Sequence, residues 1–451
     1  MTKSNYKKIE LVSPAGNLDK LRVAFCFGAD AVYLAGKRWG LRAQADNFER
    51  DEIVEAVRLA KTCKKNVYIT LNILARGEDF DGLDDYIAFL NEAKVNGVIA
   101  SDLGVMARVK AIAPTMPIHV STQANVSNAA AALEYVRLGA SRIVLARELN
   151  LSEIAVIRKA LPKSVRLEAF VHGAMCMGIS GRCLISNYLA GRDSNRGDCS
   201  QPCRWEFGDK SRHCEEQSDP FGKLRAGSAI PCKKLKSNID LTYPSSRGNP
   251  SGELEVQEDN RGTYFFNSND LNMIEYIDKL YEAGVDCFKI EGRVKSVYYV
   301  AAVTGAYRKM IDLYAQKGKE FVPCPQITSE TYKVAHRGYS TGFYLGGDAG
   351  QNYVSSQAAC EYDFVGAVIE DKCKDGYAVI EQRNRFVVGD TLEVMSPAQH
   401  HNAQLIIAHM TDLKDNPIPD AKFVQQKLKV YTDIPLKAGD MLRKNRVNHL
   451  S

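Results

Sequence analysis

Residues 83–101 read LDDYIAFLNEAKVNGVIAS. From Leu83 to Val95, apolar side chains recur at three- and four-residue spacing, which places them on one face of a helix. Gly97 stands where such a helix should end. The run Val98–Ala100 is short and apolar and is followed by the polar Ser101, which is typical of a buried β-strand. The stretch therefore predicts a helix joined directly to a strand.

The same strand and helix unit recurs through the first 316 residues of this 451-residue chain. Further helix-like segments cover residues 51–63, 128–138 and 151–161. The candidate strands are Ile9–Ser13, Ala31–Ala35, Val67–Asn72, Gly97–Ser101, Ile118–Thr122, Arg142–Ala146, Leu167–Val171 and Cys287–Glu291. Eight strand-then-helix units with nearly continuous apolar strands predict an α/β fold, a closed TIM-like (β/α) barrel. A doubly wound open sheet is the alternative.

The pattern changes near residue 330. Beyond it, short alternating runs are separated by turn residues, which predicts a small C-terminal β-barrel or sandwich. These runs are Asp363–Ile369, Gly376–Gln382, Thr391–Met395, Gln404–His409 and Lys427–Val430. The segment Gly208–Asn260 lacks periodicity and is expected to be a surface insertion, disordered in part. The predicted organisation is a barrel domain at 1–330 with an insertion at 208–260, a linker at 331–354 and a β-barrel domain at 355–451.

Polar side chains follow several of the candidate strands. The carboxyl ends of parallel strands meet at one rim, where ligands bind in barrels and open sheets alike, so these residues are expected to line a pocket. The candidates for catalytic contacts are Glu168, His172, Glu291 and Arg293. Arg293 suits a carboxylate ligand, because a guanidinium pairs with a carboxylate through two hydrogen bonds. Taken singly, each polar residue is better explained as a cap of the next helix, and it is their collective position at one rim that favours a pocket.

Composition and charge limit the class of protein to which this chain can belong. Hydrophobic residues make up 45% and charged residues 25% of the chain, which is the balance of a folded soluble protein. The lysine-rich start has no apolar stretch behind it, and no run reaches the roughly 18 apolar residues that span a bilayer. A cytoplasmic protein with no membrane partner is therefore expected. The net charge of +5 permits an RNA partner without indicating one.

Four of the twelve cysteines form the strongest local signal. They are Cys176, Cys183, Cys199 and Cys203, spaced C-x6-C-x15-C-x3-C. Cytoplasmic thiols stay reduced, so such a group indicates metal or catalysis, and it suits either zinc or an iron–sulfur cluster. Zinc sites favour closely spaced pairs, which only Cys199 and Cys203 provide, so the spacing favours iron–sulfur. Cys26, Cys63 and Cys287 lie within helix or strand patterns and are expected to be ordinary core thiols.

Several stretches resemble the peptidase U32 family, the collagenase-like peptidases. They are Leu11–Asn17, Gly28–Tyr33, Glu168–Cys183, Lys289–Arg293 and His336–Phe343. Residues 199–207 are most similar to the bacterial branch that hydroxylates the wobble uridine of transfer RNA (tRNA) to 5-hydroxyuridine without molecular oxygen.

That resemblance implies three further properties. The first is prephenate as co-substrate, and the second is dependence on the iron–sulfur assembly machinery. The third is a cluster, expected to be 4Fe-4S, held by Cys176, Cys183, Cys199 and Cys203. A sister branch places its last ligand further downstream, which makes Cys232 a rival for the fourth position.

Three functions remain open. The first is tRNA hydroxylation by an iron–sulfur enzyme. The second is proteolysis, although the chain has no H-E-x-x-H motif and its G-x-S-x-G match around Ser340 lacks a strand-to-helix elbow. A cysteine nucleophile paired with His172 would be the other arrangement for a peptidase. The third is a non-catalytic, zinc-stabilised RNA-binding module.

Two basic stretches are candidates for contacts with an RNA backbone. The first contains Lys61, Lys64 and Lys65, and the second, near the C-terminus, contains Arg443, Lys444 and Arg446. Such contacts release counterions and supply most of the non-specific affinity for nucleic acid. A solvated protein face explains the same charges equally well.

Overall fold

The computed structural model describes residues 7–42, 45–176, 178–201, 203, 268–347, 350 and 360–446, with four two-residue strands between residues 242 and 263. Most of the predicted insertion at 208–260 lies outside the described residues, and so does Cys232.

Eight parallel strands close into a barrel. They are β1 (Glu10–Pro14), β2 (Ala31–Leu34), β3 (Asn66–Leu71), β4 (Gly97–Ala100), β5 (Ile118–Val120), β6 (Ala140–Val144), β7 (Arg166–Ala174) and β9 (Cys287–Ile290). A short strand, β8 (Asp270–Asn272), precedes β9 and runs antiparallel to the end of β7. Because β9 pairs with both β7 and β1, the sheet is closed. The predicted TIM-like barrel is confirmed, and this closure excludes the open sheet.

Helices alternate with the strands and pack against them. They are α1 (Leu18–Cys26), α2 (Arg50–Cys63), α3 (Leu83–Glu92), α4 (Leu103–Ile112), α5 (Ala129–Arg137), α6 (Leu151–Ala160), α7 (Ile185–Ala190), α8 (Ile277–Glu282), α9 (Val297–Lys317) and α10 (Pro325–Ser329). Asn17, Asp102 and Asn128 each accept a backbone N–H in the first turn of a helix. Buried side chains such as Leu21 and Ile53 join the strands in one core. Within the described ranges, no helix has the length and apolarity needed to span a membrane.

The inside of the barrel is charged. Arg142 on β6 lies 2.9 Å from the carboxylate of Glu10 on β1 and 2.7 Å from that of Glu168 on β7. Lys289 on β9 lies 2.8 Å from the other oxygen of Glu168, and Tyr68 on β3 donates to Glu10 at 2.6 Å. Two buried carboxylates thus face two buried cations. Removing one partner would leave a buried charge uncompensated, so the network holds its members in place.

Residues 325–347 pack against the barrel. They include α10 and β10 (Tyr339–Ser340), which pairs in parallel with β8. Buried Arg337 lies 2.5 Å from the carboxylate of Asp270 on β8. This pair fixes the chain where it leaves the barrel.

The C-terminal domain is an antiparallel sheet. Its strands are β11 (Tyr362–Glu370), β12 (Tyr377–Gln382), β13 (Phe386–Val387), β14 (Thr391–Met395), β15 (Gln404–Ile406), β16 (Met410–Thr411), β17 (Asp420–Ala421), β18 (Lys427–Tyr431) and β19 (Met441–Asn445). Seven of them form one sheet in the order β15-β14-β19-β11-β12-β18-β16, and β13 pairs with β17. Val365, Ile380 and Leu428 belong to its separate apolar core. The expected all-β C-terminal domain is confirmed in this form.

A buried arginine joins the two domains. Arg443 on β19 is 0% exposed, and its guanidinium lies 2.8 Å from Glu330, next to α10, and 2.6 Å from Glu393 on β14. Lys444 and Arg446 each pair with an aspartate of the C-terminal domain. The prediction that this stretch contacts RNA is wrong for Arg443, because its charge is already neutralised inside the protein.

Two cysteines predicted to be core residues are exposed. Cys26 and Cys63 are the last residues of α1 and α2, and each side chain lies on the solvent side there. The prediction was wrong for these two because apolar spacing does not fix which way the final residue of a helix points. Cys287 on β9 is buried, as predicted.

Candidate active site at the barrel mouth

Arg293 lies just beyond the carboxyl end of β9, at the mouth of the barrel. It is 4% exposed, and within the described part of the chain its guanidinium forms no ion pair and its Nη1 has no hydrogen-bond partner. Arginine is almost never fully buried without a partner. Burial lowers the pKa of Arg293 to about 10, which leaves it charged at neutral pH. A buried, unpaired cation at the mouth is suited to receive an anion.

Glycines on both sides bring the backbone close at this point. A Cβ at Gly16, just before α1, would lie 2.3 Å from the carbonyl oxygen of Arg293. Gly292 has a φ of 151°, which side chains with a Cβ rarely adopt. Lys20 of α1 donates to the same carbonyl at 3.3 Å. The end of β9 and the start of α1 are thereby locked together, and Arg293 is held at the mouth.

Three further charged side chains lie at the mouth with Arg293. Arg42, from the connection between β2 and α2, lies 3.6 Å from the carboxylate of Glu291. Arg147, after β6, donates to a backbone carbonyl at 2.9 Å, and its buried Nε has no partner among the described residues. Tyr33 on β2 lies within electrostatic range of all four charges. Three guanidinium groups and one carboxylate give this mouth an excess of positive charge.

Two aromatic rings form the floor of the mouth. The guanidinium carbon of Arg147 lies 3.9 Å from the ring centroid of Phe170 on β7. Nζ of Lys289, which belongs to the interior network, lies 4.4 Å from the Tyr33 ring and 5.4 Å from the Phe170 ring. Both contacts are cation–π interactions. The rings therefore separate the cations of the mouth from those of the barrel interior.

Glu168, a predicted catalytic contact, lies in the interior network beyond this floor. Burial alone would raise its pKa, but Lys289 and Arg142 outweigh burial and lower the pKa to about 2. Glu168 is thus ionised, fully buried and paired on both oxygens. In this structure it balances the two interior cations.

His172, another predicted contact, packs among tyrosines. Its ring lies 5.5 Å from that of Tyr307 on α9 and 5.3 Å from that of Tyr339 on β10. A register shift between β7 and β9 precedes it, and such a bulge re-aims the side chains that follow. Burial lowers its pKa to about 3, so the ring is neutral at neutral pH. The structure brings Glu291 and Arg293 together at the mouth, whereas His172 lies against α9.

The four predicted cluster cysteines lie on the segment after β7. Cys176 is exposed, and Cys183, Cys199 and Cys203 are half-buried. Burial would lower the pKa of Arg42, but Glu291 and Cys176, with a smaller contribution from Cys199, outweigh burial and raise the pKa. Cys176 and Cys199 therefore lie within electrostatic range of Arg42.

Hydrogen bonds fix the turn that carries Cys183. Asn195 accepts from the backbone N–H of Cys183 at 3.2 Å and donates to its carbonyl at 3.0 Å. Glu148, which follows β6, accepts from the N–H of Ser180 at 2.5 Å and from its hydroxyl at 2.8 Å. Ser180 has a φ of 47°, a left-handed conformation that is costly for a residue with a Cβ. Glu148 and Asn195 thereby hold Cys183 beside the mouth.

The cysteine segment has the donor chemistry of an iron–sulfur site. Four accessible or half-buried thiols on one loop are suitable ligands for a cluster. Among the residues that the structure describes, no three His, Cys, Asp or Glu side chains are gathered as they would be around a metal ion. The four thiols therefore fit a cluster by the chemistry of their donor atoms.

Comparison with known proteins identifies the family. The profile of Peptidase family U32 matches residues 16–353, and that of the Peptidase family U32 C-terminal domain matches residues 360–443. The chain belongs to the peptidase U32 family. The resemblance predicted from the sequence is thereby confirmed.

Three U32 relatives show the range of names within the family. The "tRNA hydroxylation protein P1" of Bacillus subtilis (strain 168) is 36% identical to this chain, over 98% of it and 96% of the relative. The "tRNA hydroxylation protein P" of Escherichia coli (strain K12) is 36% identical, over 92% and 91%. The "Collagenase" of Porphyromonas gingivalis (strain ATCC BAA-308 / W83) is 29% identical, over 87% and 88%.

Sequence reasoning missed four residues of this U32 site. Arg147 and Glu148 directly follow the predicted strand Arg142–Ala146, so the rule that polar residues after a strand line the rim could have found them. Arg42 lies well beyond β2 within a connection, and Asn195 lies within the cysteine segment. No periodicity or motif marks either of these two.

Proposed function

We propose that this chain hydroxylates RNA, converting the wobble uridine of tRNA to 5-hydroxyuridine. Two relatives that match more than nine-tenths of the chain are named for tRNA hydroxylation. The structural observation that carries the proposal is Arg293, which is buried, charged and without an ion pair among the described residues. A carboxylate co-substrate accounts for this arginine, whereas peptide hydrolysis does not require it.

The proposed co-substrate is prephenate, which carries two carboxylates. One carboxylate would pair with Arg293 through two charge-assisted hydrogen bonds and so neutralise the buried cation. Arg147 offers a second cation above the Phe170 ring. Glu291 acts as a positioning residue, since its carboxylate holds Arg42 at the edge of the mouth.

We further propose that a 4Fe-4S cluster, supplied by the iron–sulfur assembly machinery, is held by Cys176, Cys183, Cys199 and Cys203. When bound, it would supply one-electron redox chemistry beside the mouth. The chain's own groups bind and orient the reactants, and the rings of Tyr33 and Phe170 close the mouth toward the barrel interior. In this proposal Glu168 and His172 stabilise the barrel and do not contact the reactants.

The substrate RNA needs cations at the mouth. Lys61 lies in the last turn of α2, and Lys64 and Lys65 lie between α2 and β3, on the face of the barrel opposite the mouth. They are therefore poorly placed for an RNA whose base reacts at the cysteine segment. Arg182 is exposed on that segment and is a better candidate for a phosphate contact.

A peptidase is the second candidate function, and the relative named "Collagenase" favours it. The geometry of the described residues gives little support to a peptidase. Nε2 of His172 lies 3.4 Å from the hydroxyl of Tyr339, and this histidine is neutral and buried. Ser340, within the G-x-S-x-G match, lies on strand β10 and accepts from the N–H of Gly342 at 3.3 Å. This serine is not at a strand-to-helix elbow.

The proposal is tested with protein purified without oxygen. Wild type should be brown and contain iron, and it should form 5-hydroxyuridine in unmodified tRNA when prephenate is added, as measured by nucleoside mass spectrometry. Cys183→Ser should lose iron and activity, because a hydroxyl is a poor ligand for this soft site. Cys287→Ser is the matched control and should retain iron, since Cys287 is buried in the barrel.

Other outcomes contradict the proposal. Colourless protein with bound zinc and no product would favour the zinc-stabilised module, and cleavage of peptides without RNA hydroxylation would favour the peptidase. Loss of iron in Cys232→Ser with full iron in Cys203→Ser would move the fourth ligand to Cys232.

A further inference from the structure

A cavity lies at the ends of β3, β4 and β5, next to the cysteine segment. Its volume is about 310 Å³, at the lower end of the roughly 300–1,000 Å³ that is typical of small-molecule sites. Asn72 and Gln123 line it on the barrel side, and Leu74 and Leu184 line it on the other side together with the polar side chains of Arg182 and Asn195. The barrel side is therefore polar, and the opposite side combines apolar and polar groups.

The amides of the polar side are available to a ligand. Gln123 has no side-chain hydrogen-bond partner within the described part of the chain. Asn72 accepts from the N–H of Leu41 and donates to the hydroxyl of Ser121, both at 3.3 Å, which fixes its orientation. An amide carries two donors and an oxygen with two lone pairs, so Asn72 retains one of each. The amide of Asn72 is thus fixed in orientation, whereas the amide of Gln123 can rotate to suit a ligand.

The rim of the cavity is apolar and exposed. Leu184 and Leu74 both line the cavity and are 72% and 46% exposed. A contiguous exposed apolar patch that is bordered by polar residues marks an interaction site. Its natural occupant has flat apolar faces and a polar edge, because the faces would contact the leucines while the edge meets the amides.

We infer that this cavity holds an unpaired pyrimidine base of the RNA substrate, flipped out of its loop, with Gln123 and Asn72 contacting its polar edge. The inference rests on the proposed function. Enzymes that act on a base take it out of the stack and read its edge by hydrogen bonds. Uracil offers an N3–H donor flanked by two carbonyl acceptors, which complements amide groups. Cys183 lines the same cavity, so a base bound there lies beside the proposed cluster segment.

A crosslinking experiment locates the base without requiring turnover. An anticodon stem-loop RNA with 4-thiouridine at the wobble position is irradiated with the full-length protein, and the linked peptide is identified by mass spectrometry. We expect links to the peptides containing Asn72, Gln123 or Leu184. Leu184→Ala should weaken the crosslink, and Val156→Ala, which removes a similarly exposed side chain from α6, should not.

Kinetics supply the second readout. Gln123→Leu should lower kcat/KM for the uridine stem-loop about 10-fold, as expected for the loss of one base-reading contact. Its affinity for the RNA should stay within about twofold, because phosphate contacts dominate affinity. Links confined to other peptides, with unchanged kcat/KM in Gln123→Leu, would overturn the inference and leave hydroxylation intact. Links in the cavity without hydroxylated product from wild type would overturn the proposed function and leave the base site standing.

Discussion

Replacing Arg293 with methionine should stabilise the protein and abolish its reaction. Burial lowers the pKa of Arg293 from 12.5 to about 10. Because the pKa of Arg293 is lower in the folded state, its charged form destabilises the folded protein relative to the unfolded one. This cost in folding free energy is present in full at every pH below about 10. The shift of 2.5 units, at 1.36 kcal/mol each, corresponds to about 3 kcal/mol at neutral pH. Methionine keeps much of the apolar stem, so most of this penalty should be recovered as stability.

Urea or thermal unfolding at neutral pH, followed by circular dichroism, measures this change in the free energy of unfolding. The matched control is Arg337→Met, which removes an arginine that is equally buried but paired with Asp270. That change leaves a buried carboxylate alone and should cost about 3–5 kcal/mol. Opposite signs for two buried arginines would show that the unpaired one is kept for a ligand and the paired one for the fold.

Prephenate provides the complementary assay. At 100 times its dissociation constant, a ligand that binds only the folded state stabilises it by about 2.7 kcal/mol. Wild type should show this stabilisation, and Arg293→Met should not. The reasoning would be refuted by an Arg293→Met variant that is less stable than wild type, or by one that prephenate still stabilises fully.

Two further predictions concern the buried residues around the site. The pKa of His172 is lowered from 6.5 to about 3, so its unfolded form binds a proton that the fold rejects as pH falls below 6.5. Wild type should therefore lose about 2 kcal/mol more than His172→Gln between pH 6.5 and about pH 5, and parallel pH profiles would contradict this. Arg443→Met should cost about 3–5 kcal/mol at the domain junction, because Glu330 and Glu393 lose a partner. The RNA affinity of the folded variant should be unchanged, and a marked loss would restore Arg443 as an RNA contact.

The barrel was predictable because its signal is local. Each strand is a short apolar run and each helix has one apolar face, so eight repeats of the unit favour a barrel. This signal does not depend on the contacts that side chains make inside the barrel. The strand Met441–Asn445 was missed because its sequence, MLRKN, carries two charges in a row and indicates a solvated stretch. Partners distant in sequence, among them Glu330 and Glu393, allow Arg443 to be a buried strand residue.

The site was predictable only in part, for a related reason. Glu291 and Arg293 follow a strand and lie at its mouth, as residues after barrel strands do. Glu168 lies inside its strand and faces the barrel interior, where Arg142 and Lys289 neutralise it. His172 lies past a register shift that the sequence does not reveal. Position along a strand predicts which end of the barrel a residue occupies, but pairing and bulges decide what it contacts.

The contrast between the two ends of the barrel is the strongest argument for the location of the site. Inside, the buried cations Arg142 and Lys289 each have a carboxylate within hydrogen-bond distance. At the mouth, Arg293 is as deeply buried, yet it has no ion pair among the described residues, and the nearby Glu291 pairs with Arg42. The fold therefore neutralises its buried cations at positions inside the barrel, where they contribute to stability alone. Local rules tend to be broken at functional sites, so Arg293, which has no ion pair among the described residues, is where the proposed carboxylate co-substrate would bind.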